Sequence, residues 1–361
     1  VARSEADERD DARVRVRVRH RAPGARAVAL QASGWWRPQP ADACDLRHAG
    51  DGWWWGDFLV PADWCATIGF VEHRQEGDPP WWDGGLKGLP VAGERQVVDL
   101  ARREPGRSSG DVGHPTAPEA RPVVSGPIRS PGLVDSPGLV DSPSTDQAPR
   151  TRTLVAGTVD SPLLLVVTDG ETHVERLGTP AVLARLVEDG LLPPLRAVFV
   201  DAQPERSHQL GLPGGQARWI AEDLVPGLQE RGLASADPRR VVVTGSSFGG
   251  LTALFALARA PHAIGTVSAQ SVSLWRFPRG ALVEPLAAAL RAAPRTPRIR
   301  LHGGRYEGTM APRAAELVEA VAARTGVRIP LRLHSGGHDW AWWHPALLED
   351  LLDAFGPGAR D

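Results

Sequence analysis

Val14, Val16 and Val18 alternate with Arg13, Arg15, Arg17 and Arg19, a period of two that predicts a strand with one buried and one charged face. Further strand-like runs stand at residues 27–32, 53–59, 67–73 and 96–100, separated by Gly, Pro and Asp turns. Short strands at this spacing predict a small N-terminal β-sandwich, Ig-like, over residues 1–104. From about residue 105 to 150 the periodicity vanishes and Pro, Gly, Ser and Asp dominate, which predicts a linker unable to bury a core. Within it Ser130-Pro-Gly-Leu-Val-Asp135 is repeated as Ser136-Pro-Gly-Leu-Val-Asp141. Two copies are too few for a solenoid.

Beyond residue 150 the pattern changes. Apolar runs at 163–168, 197–200 and 241–244 suit buried parallel strands, while 179–189, 216–231 and 250–259 carry a helical period. Later strands at 298–302 and 331–334 flank a helix at 312–324, and a last helix covers 345–355. Strand and helix in alternation predict an α/β domain over residues 151–361, with a mainly parallel sheet and helices on both faces.

Composition adds limits. The formal net charge is −2 in 361 residues, and Lys87 is the only lysine. No bulk attraction to nucleic acid or to an anionic membrane follows, so an anionic ligand must be met by local arginines. Cys44 and Cys65 lack metal-ligand spacing and read as reduced, structural cysteines. Residues 1–13 are polar, with no apolar signal core, and no stretch reaches the roughly 18 apolar residues of a membrane span. The expectation is a cytoplasmic protein. The arginine stripe has two readings, an anion-binding edge or a solvated face that discourages edge pairing. Tryptophans 35, 36, 53, 54, 55, 64, 81 and 82 are concentrated in the front segment, where they serve either a ligand face or a sandwich core.

The chemistry centres on one turn. Val241-Val-Val-Thr-Gly245 runs into Ser246-Ser-Phe-Gly-Gly250 and then a helix, which places Gly245-x-Ser247-x-Gly249 in the strand-turn-helix setting of a nucleophile elbow. Ser247 is the candidate nucleophile; choosing Ser246 would put Phe248 where the tight turn needs glycine. The base should follow in chain order, and His338 in Ser335-Gly-Gly-His-Asp-Trp340 has that place. Glu307, in a loop after the 298–302 strand, is the candidate acid, with Asp339 second and a Ser–His dyad still open. The oxyanion donors expected are the N–H of Phe248 and those of the Asp169-Gly170-Glu171 loop. His334, His338 and His344 raise a zinc alternative, but Gly336 and Gly337 interrupt the helix that would align the first two; no metal is expected.

With these residues placed, the chain resembles the enterochelin esterase (ferric enterobactin esterase) family of α/β-hydrolases. The resemblance rests on Thr168-Asp-Gly-Glu171, Gly245-Ser-Ser-Phe-Gly-Gly250, Gly304-Arg-Tyr-Glu-Gly-Thr-Met310 and Gly336-Gly-His-Asp-Trp340, and more weakly on Phe58-Leu-Val-Pro-Ala-Asp-Trp64 in the front segment. It implies hydrolysis of the serine trilactone of a ferric catecholate siderophore in the cytoplasm. The iron would enter as part of that small-molecule substrate, without a protein cofactor. It also implies substrate-binding roles for Arg206, Trp275 and Trp340. Gln209 and Gly214 stand where the family favours a glutamate and an asparagine, so an esterase or acyltransferase of related fold acting on another acyl ester, such as a feruloylated sugar, stays open, as does a non-catalytic siderophore- or glycan-binding protein.

Overall fold

A computed structural model describes residues 13–33, 44–74, 96–99, 121–122, 139–145, 148–158, 162–202 and 206–359. By internal contacts the chain divides into two compact units. One comprises Val1–Arg129, Arg305–Glu307 and His334–Trp342; the other comprises Ser130–Gly304, Gly308–Leu333 and Trp343–Asp361.

In the first unit the alternating valines form β1 (Arg13–Arg21), followed by β2 (Ala27–Ala32), β3 (Arg47–Gly50), β4 (Trp53–Pro61), β5 (Cys65–His73), β6 (Gln96–Asp99) and β7 (Arg121–Pro122). They build two sheets, ordered β3-β4-β1-β7 and β2-β5-β6. Val16 and Val18 of β1, Trp54, Phe58 and Val60 of β4, Val28 and Leu30 of β2, and Ile68 and Phe70 of β5 share one core. Contributions from both sheets to one apolar layer make this a sandwich. On the charged face Arg17 lies opposite Asp57 and forks onto its carboxylate at 2.7 and 2.8 Å, with its guanidinium 4.9 Å over the Trp55 ring. At this position the stripe is internally paired. The tryptophans divide: Trp54 and Trp64 are core residues, Trp53 is 45% exposed, and Trp35, Trp36, Trp81 and Trp82 lie outside the described residues.

The second unit is an eight-stranded sheet with β8 (Leu139–Ser142), β9 (Thr151–Ala156), β10 (Leu163–Thr168), β11 (Leu195–Val200), β12 (Val241–Ser246), β13 (Thr266–Gln270), β14 (Arg298–Gly304) and β15 (Leu331–His334). Their order is β15-β14-β13-β12-β10-β11-β9-β8. β10 to β14 pair in parallel, and β9 and β8 are antiparallel additions. Alternate residues of the same strands feed two cores: Leu164, Val166, Val241 and Val243 on one face, Leu163, Leu165, Val167 and Val242 on the other. The helices that cover them are α1 (Gly170–Glu175), α2 (Thr179–Glu188), α3 (Arg206–Gln209), α4 (Gly215–Trp219), α5 (Val225–Glu230), α6 (Phe248–Arg259), α7 (Val283–Ala292), α8 (Met310–Thr325) and α9 (Trp340–Phe355). This is the α/β-hydrolase fold that the strand and helix alternation predicts.

Three differences from the sequence reading have local causes. The stretch read as linker up to residue 150 contributes β8, because Leu139 and Val140 of the second repeat copy pair with Leu154 and Thr153 of β9. The helix expected over 216–231 runs without a gap over residues 215–230 but widens into a π-turn at Ile220–Leu224; Pro226 cannot donate to the preceding turn and its ring crowds the carbonyl four residues back. α9 starts at Trp340, well before Pro345, since the Asp339 carboxylate accepts from Ala341 N–H at 3.1 Å and caps the earlier turn.

A buried chain of polar groups joins α1, α2 and α9: His173 Nδ1 lies 2.9 Å from Thr179 Oγ1, which lies 3.1 Å from His344 Nε2. Burial pushes the His173 imidazole down to about 3, with His344 adding to the effect. Below 6.5, its ordinary value, the unfolded chain takes up a proton here that the folded chain refuses. The stability is therefore whole above that pH and falls as pH drops toward about 3. Urea unfolding followed across this window is expected to show a flatter acid limb for His173→Asn than for wild type; parallel limbs would refute the assignment.

Candidate active site

Ser247 stands between β12 and α6 with φ 60° and ψ −116°, a backbone conformation that costs a non-glycine residue about 1–3 kcal/mol and is found where a fold over-determines it. The neighbours show why. A Cβ on Gly245 would fall 2.1 Å from Thr168 Oγ1 and 2.5 Å from the Gly249 carbonyl carbon, and one on Gly249 would fall 2.2 Å from Thr168 Oγ1. Two glycines are thus required for strand and helix to close on β10. The Ser247 N–H donates to Gln270 O at 2.8 Å, and its carbonyl accepts from Leu251 and Ser273 N–H at 3.3 Å each. Its hydroxyl lies 3.0 Å from Ser273 Oγ. Ser246, the competing serine, is 2% exposed and donates to Gln270 Oε1 at 3.1 Å. Its side chain is committed to the interior.

That interior is a polar network. Gln270 Nε2 donates to Ser268 Oγ at 2.8 Å, Ser268 donates to Asp350 at 2.6 Å, and His302 Nε2 lies 2.8 Å from the same carboxylate. Burial alone would raise the Asp350 carboxyl, but His302, Ser268 and Arg300 together hold it below its ordinary range.

Asp169 follows β10 and takes the left-handed conformation, φ 54°. Gly170 packs against β11 so closely that a Cβ would lie 2.6 Å from the Phe199 carbonyl carbon. The N–H groups of Gly170 and Phe248 open α1 and α6 and so have no intrahelical acceptor. The Glu171 carboxylate accepts from Ala202 N–H at 3.1 Å. Burial pushes that carboxyl up against the pull of the N–H groups of Glu171 itself and of Ala202. Arg206, expected on the substrate, forks onto the buried Asp169 carboxylate through Nε and Nη2, at 2.5 and 2.8 Å. Its guanidinium lies 5.6 Å from the Phe248 ring.

Trp275 is 53% exposed, with its ring 5.6 Å from that of Phe248. Arg276 lies 4.5 Å over the same ring and donates to Ser207 O at 2.9 Å. Ser273 and Arg276 were not singled out in the sequence: a loop serine and a loop arginine carry no pattern, and only their nearness to Phe248 and Ser247 marks them.

The histidine and its candidate acids belong to the first unit. His338 Nδ1 is 3.1 Å from Glu307 Oε1, and the Glu307 side chain is wholly buried while that of His338 is 38% exposed. Asp339 faces elsewhere. Its carboxylate accepts from the Thr67 hydroxyl at 2.6 Å and from the Thr67 N–H, besides capping α9. The loop is tied to β5 by Cys65 N–H donating to Ser335 O at 3.0 Å. Gly336 is needed there because a Cβ would lie 2.6 Å from Cys65 O. His334 stacks on Trp342 with ring centroids 4.5 Å apart, and Trp340 opens α9.

A strained serine between a central parallel strand and its helix, in a sheet of this order, defines an α/β-hydrolase by fold and elbow. The chain matches the Esterase family over residues 160–354 and belongs to that family. Among curated proteins it is similar to an iron(III) enterobactin esterase of Escherichia coli K12, 34% identical over 213 residues that cover 56% of this chain and 52% of the relative. It is also similar to an iron(III) salmochelin esterase of Escherichia coli O6:H1, 30% identical over 54% of this chain and 51% of the relative. The chain thus spans about half the length of the curated relatives it matches. Among solved structures, the enterochelin esterase of Shigella flexneri superposes with a TM-score of 0.68 at 24% identity, over 95% of this chain and 93% of that one.

The two carboxylates make separable predictions. Glu307→Gln is expected to lower kcat on an activated ester about a hundredfold or more with an unchanged melting temperature. Asp339→Ala strands the Thr67 donors and is expected to cost about 1–3 kcal/mol in stability, with the smaller loss of kcat. The reverse order in steady-state kinetics and thermal melts would exchange the roles.

Proposed function

We propose that the chain is a serine carboxylic-ester hydrolase that opens the trilactone of a ferric catecholate siderophore. The observation that carries the reading is Ser247 held at positive φ between β12 and α6, at the carboxyl end of the sheet where open α/β folds bind ligands. In this mechanism Ser247 Oγ attacks the lactone carbonyl while His338 takes its proton. Glu307, at Nδ1 of that imidazole, fixes the tautomer that leaves the other ring nitrogen as base and stabilises the imidazolium. The oxyanion is met by the N–H of Phe248 and by the Asp169-Gly170-Glu171 loop. His338 then protonates the leaving serine hydroxyl, and water resolves the acyl-enzyme by the same path in reverse.

The names of the relatives, iron(III) enterobactin esterase and iron(III) salmochelin esterase, supply the substrate class. The cluster of Phe248, Trp275 and Arg276 fits an anionic aromatic ligand. Iron is cargo of the substrate, and no resident cofactor takes part. Cys44 and Cys65, which are not joined in a disulfide, agree with a reducing, cytoplasmic setting. Gln209 and Gly214 favour a second reading, a related ester in place of enterobactin itself.

Incubation of wild type and Ser247→Ala with ferric enterobactin, a linear trimer and a feruloyl ester, followed by mass spectrometry, tests both readings. The expected products are catechoyl-serine fragments from wild type alone. Equal cleavage by Ser247→Ala would contradict the mechanism, and feruloyl hydrolysis alone would select another ester.

A further inference from the structure

We propose that Ser273 is a catalytic partner of the nucleophile, donating a hydrogen bond to Ser247 Oγ as the proton leaves it. The inference rests on the serine-hydrolase reading. It starts from geometry: Ser273 Oγ is 3.0 Å from Ser247 Oγ, Ser273 N–H donates to Ser247 O at 3.3 Å, and Ser273 is 1% exposed. Among the described residues, Ser247 Oγ is the one hydrogen-bond partner of the Ser273 hydroxyl. Its backbone is fixed as well, since Arg276 N–H donates to Ser273 O at 3.0 Å. A second serine is thus held against the first by both backbone and side chain, with water largely kept out.

The direction of the side-chain bond follows from proton counting. A hydroxyl carries one proton and two lone pairs. In the attacking state the Ser247 proton is committed to His338, so Ser247 Oγ can only accept from Ser273. As the Ser247 O–H bond breaks, its electron pair forms the Oγ–carbonyl bond, the carbonyl π pair moves onto the oxyanion, and the proton passes to the imidazole. Ser273 keeps its own proton throughout. Its hydrogen bond strengthens while negative charge builds on Oγ, because bonds to charged acceptors are the stronger ones, and it weakens again once Oγ is esterified. Ser273 therefore favours the transition state over the ground state, which is what lowers a barrier. It also holds Oγ in one rotamer, so the oxygen meets the substrate already oriented.

The test is the rate of phosphonylation of Ser247 by a fluorophosphonate, together with kcat, KM and pH profiles on an activated ester, for wild type, Ser273→Ala and Ser273→Thr. Ser273→Ala is expected to label and turn over about tenfold to a hundredfold more slowly. KM, the midpoint of the pH profile and the melting temperature should stay at wild-type values, and threonine, which restores the hydroxyl, should recover most of the rate. Labelling of Ser273→Ala within about twofold of wild type, or a loss of rate that tracks a loss of melting temperature or a rise in KM, would overturn the assignment. An unlabelled wild type would overturn the hydrolase reading itself, and the role of Ser273 with it.

Discussion

Everything in the second unit converges on a backbone that a serine adopts at a cost. Ser247 sits at φ 60° because β12 and α6 meet β10 without room for a side chain at Gly245 or Gly249, and because Gln270 O and Ser273 N–H hold its peptide groups from the side of β13. The parallel sheet makes that possible: β10, β12 and β13, the strands around the elbow, are buried along their whole length, so their ends are fixed to the precision of core packing. The network from Ser246 through Gln270 and Ser268 to Asp350 and His302 satisfies polar groups that this packing buries. A fully paired network of this kind rigidifies its surroundings.

The Asp169–Arg206 pair extends the same principle to the neighbouring loop. Asp169 is left-handed and nearly inaccessible, and its carboxylate would be costly to bury without a partner. Arg206 supplies a fork with two nitrogens and at the same time lies over Phe248, the residue whose N–H begins α6. The arginine that the resemblance places on the substrate also braces this loop in the folded chain. The first unit shows a parallel economy: Thr67 and Cys65 of the sandwich hold the loop of His338, which gives the front domain a structural task independent of any ligand its tryptophans could meet.

Much of this is legible in the amino-acid sequence. The hydrophobic periods located β2, β10 and β15 to the residue, and Gly245-x-Ser247-x-Gly249 announced the elbow because glycine is required by space that only a tight turn denies. His338 and Glu307 were legible by order, each following a strand, although the pairing at 3.1 Å needed the fold. What stayed hidden depended on partners distant in sequence. Asp339 is claimed by Thr67, 272 residues away, Arg206 by Asp169, 37 residues away, and Ser273 becomes a neighbour of Ser247 only through the adjacency of β12 and β13. Pro226 was visible, but its consequence, a π-turn inside an otherwise continuous helix, is a change of hydrogen-bond register that leaves no mark in the hydrophobic period.

The central claim is that strain, burial and hydrogen bonding single out one of two adjacent serines as the nucleophile. Peptide mapping by tandem mass spectrometry of the chain after reaction with a fluorophosphonate measures this directly. The account predicts one stoichiometric adduct on Ser247. An adduct on Ser246, or an unmodified elbow peptide in a folded protein, would contradict it.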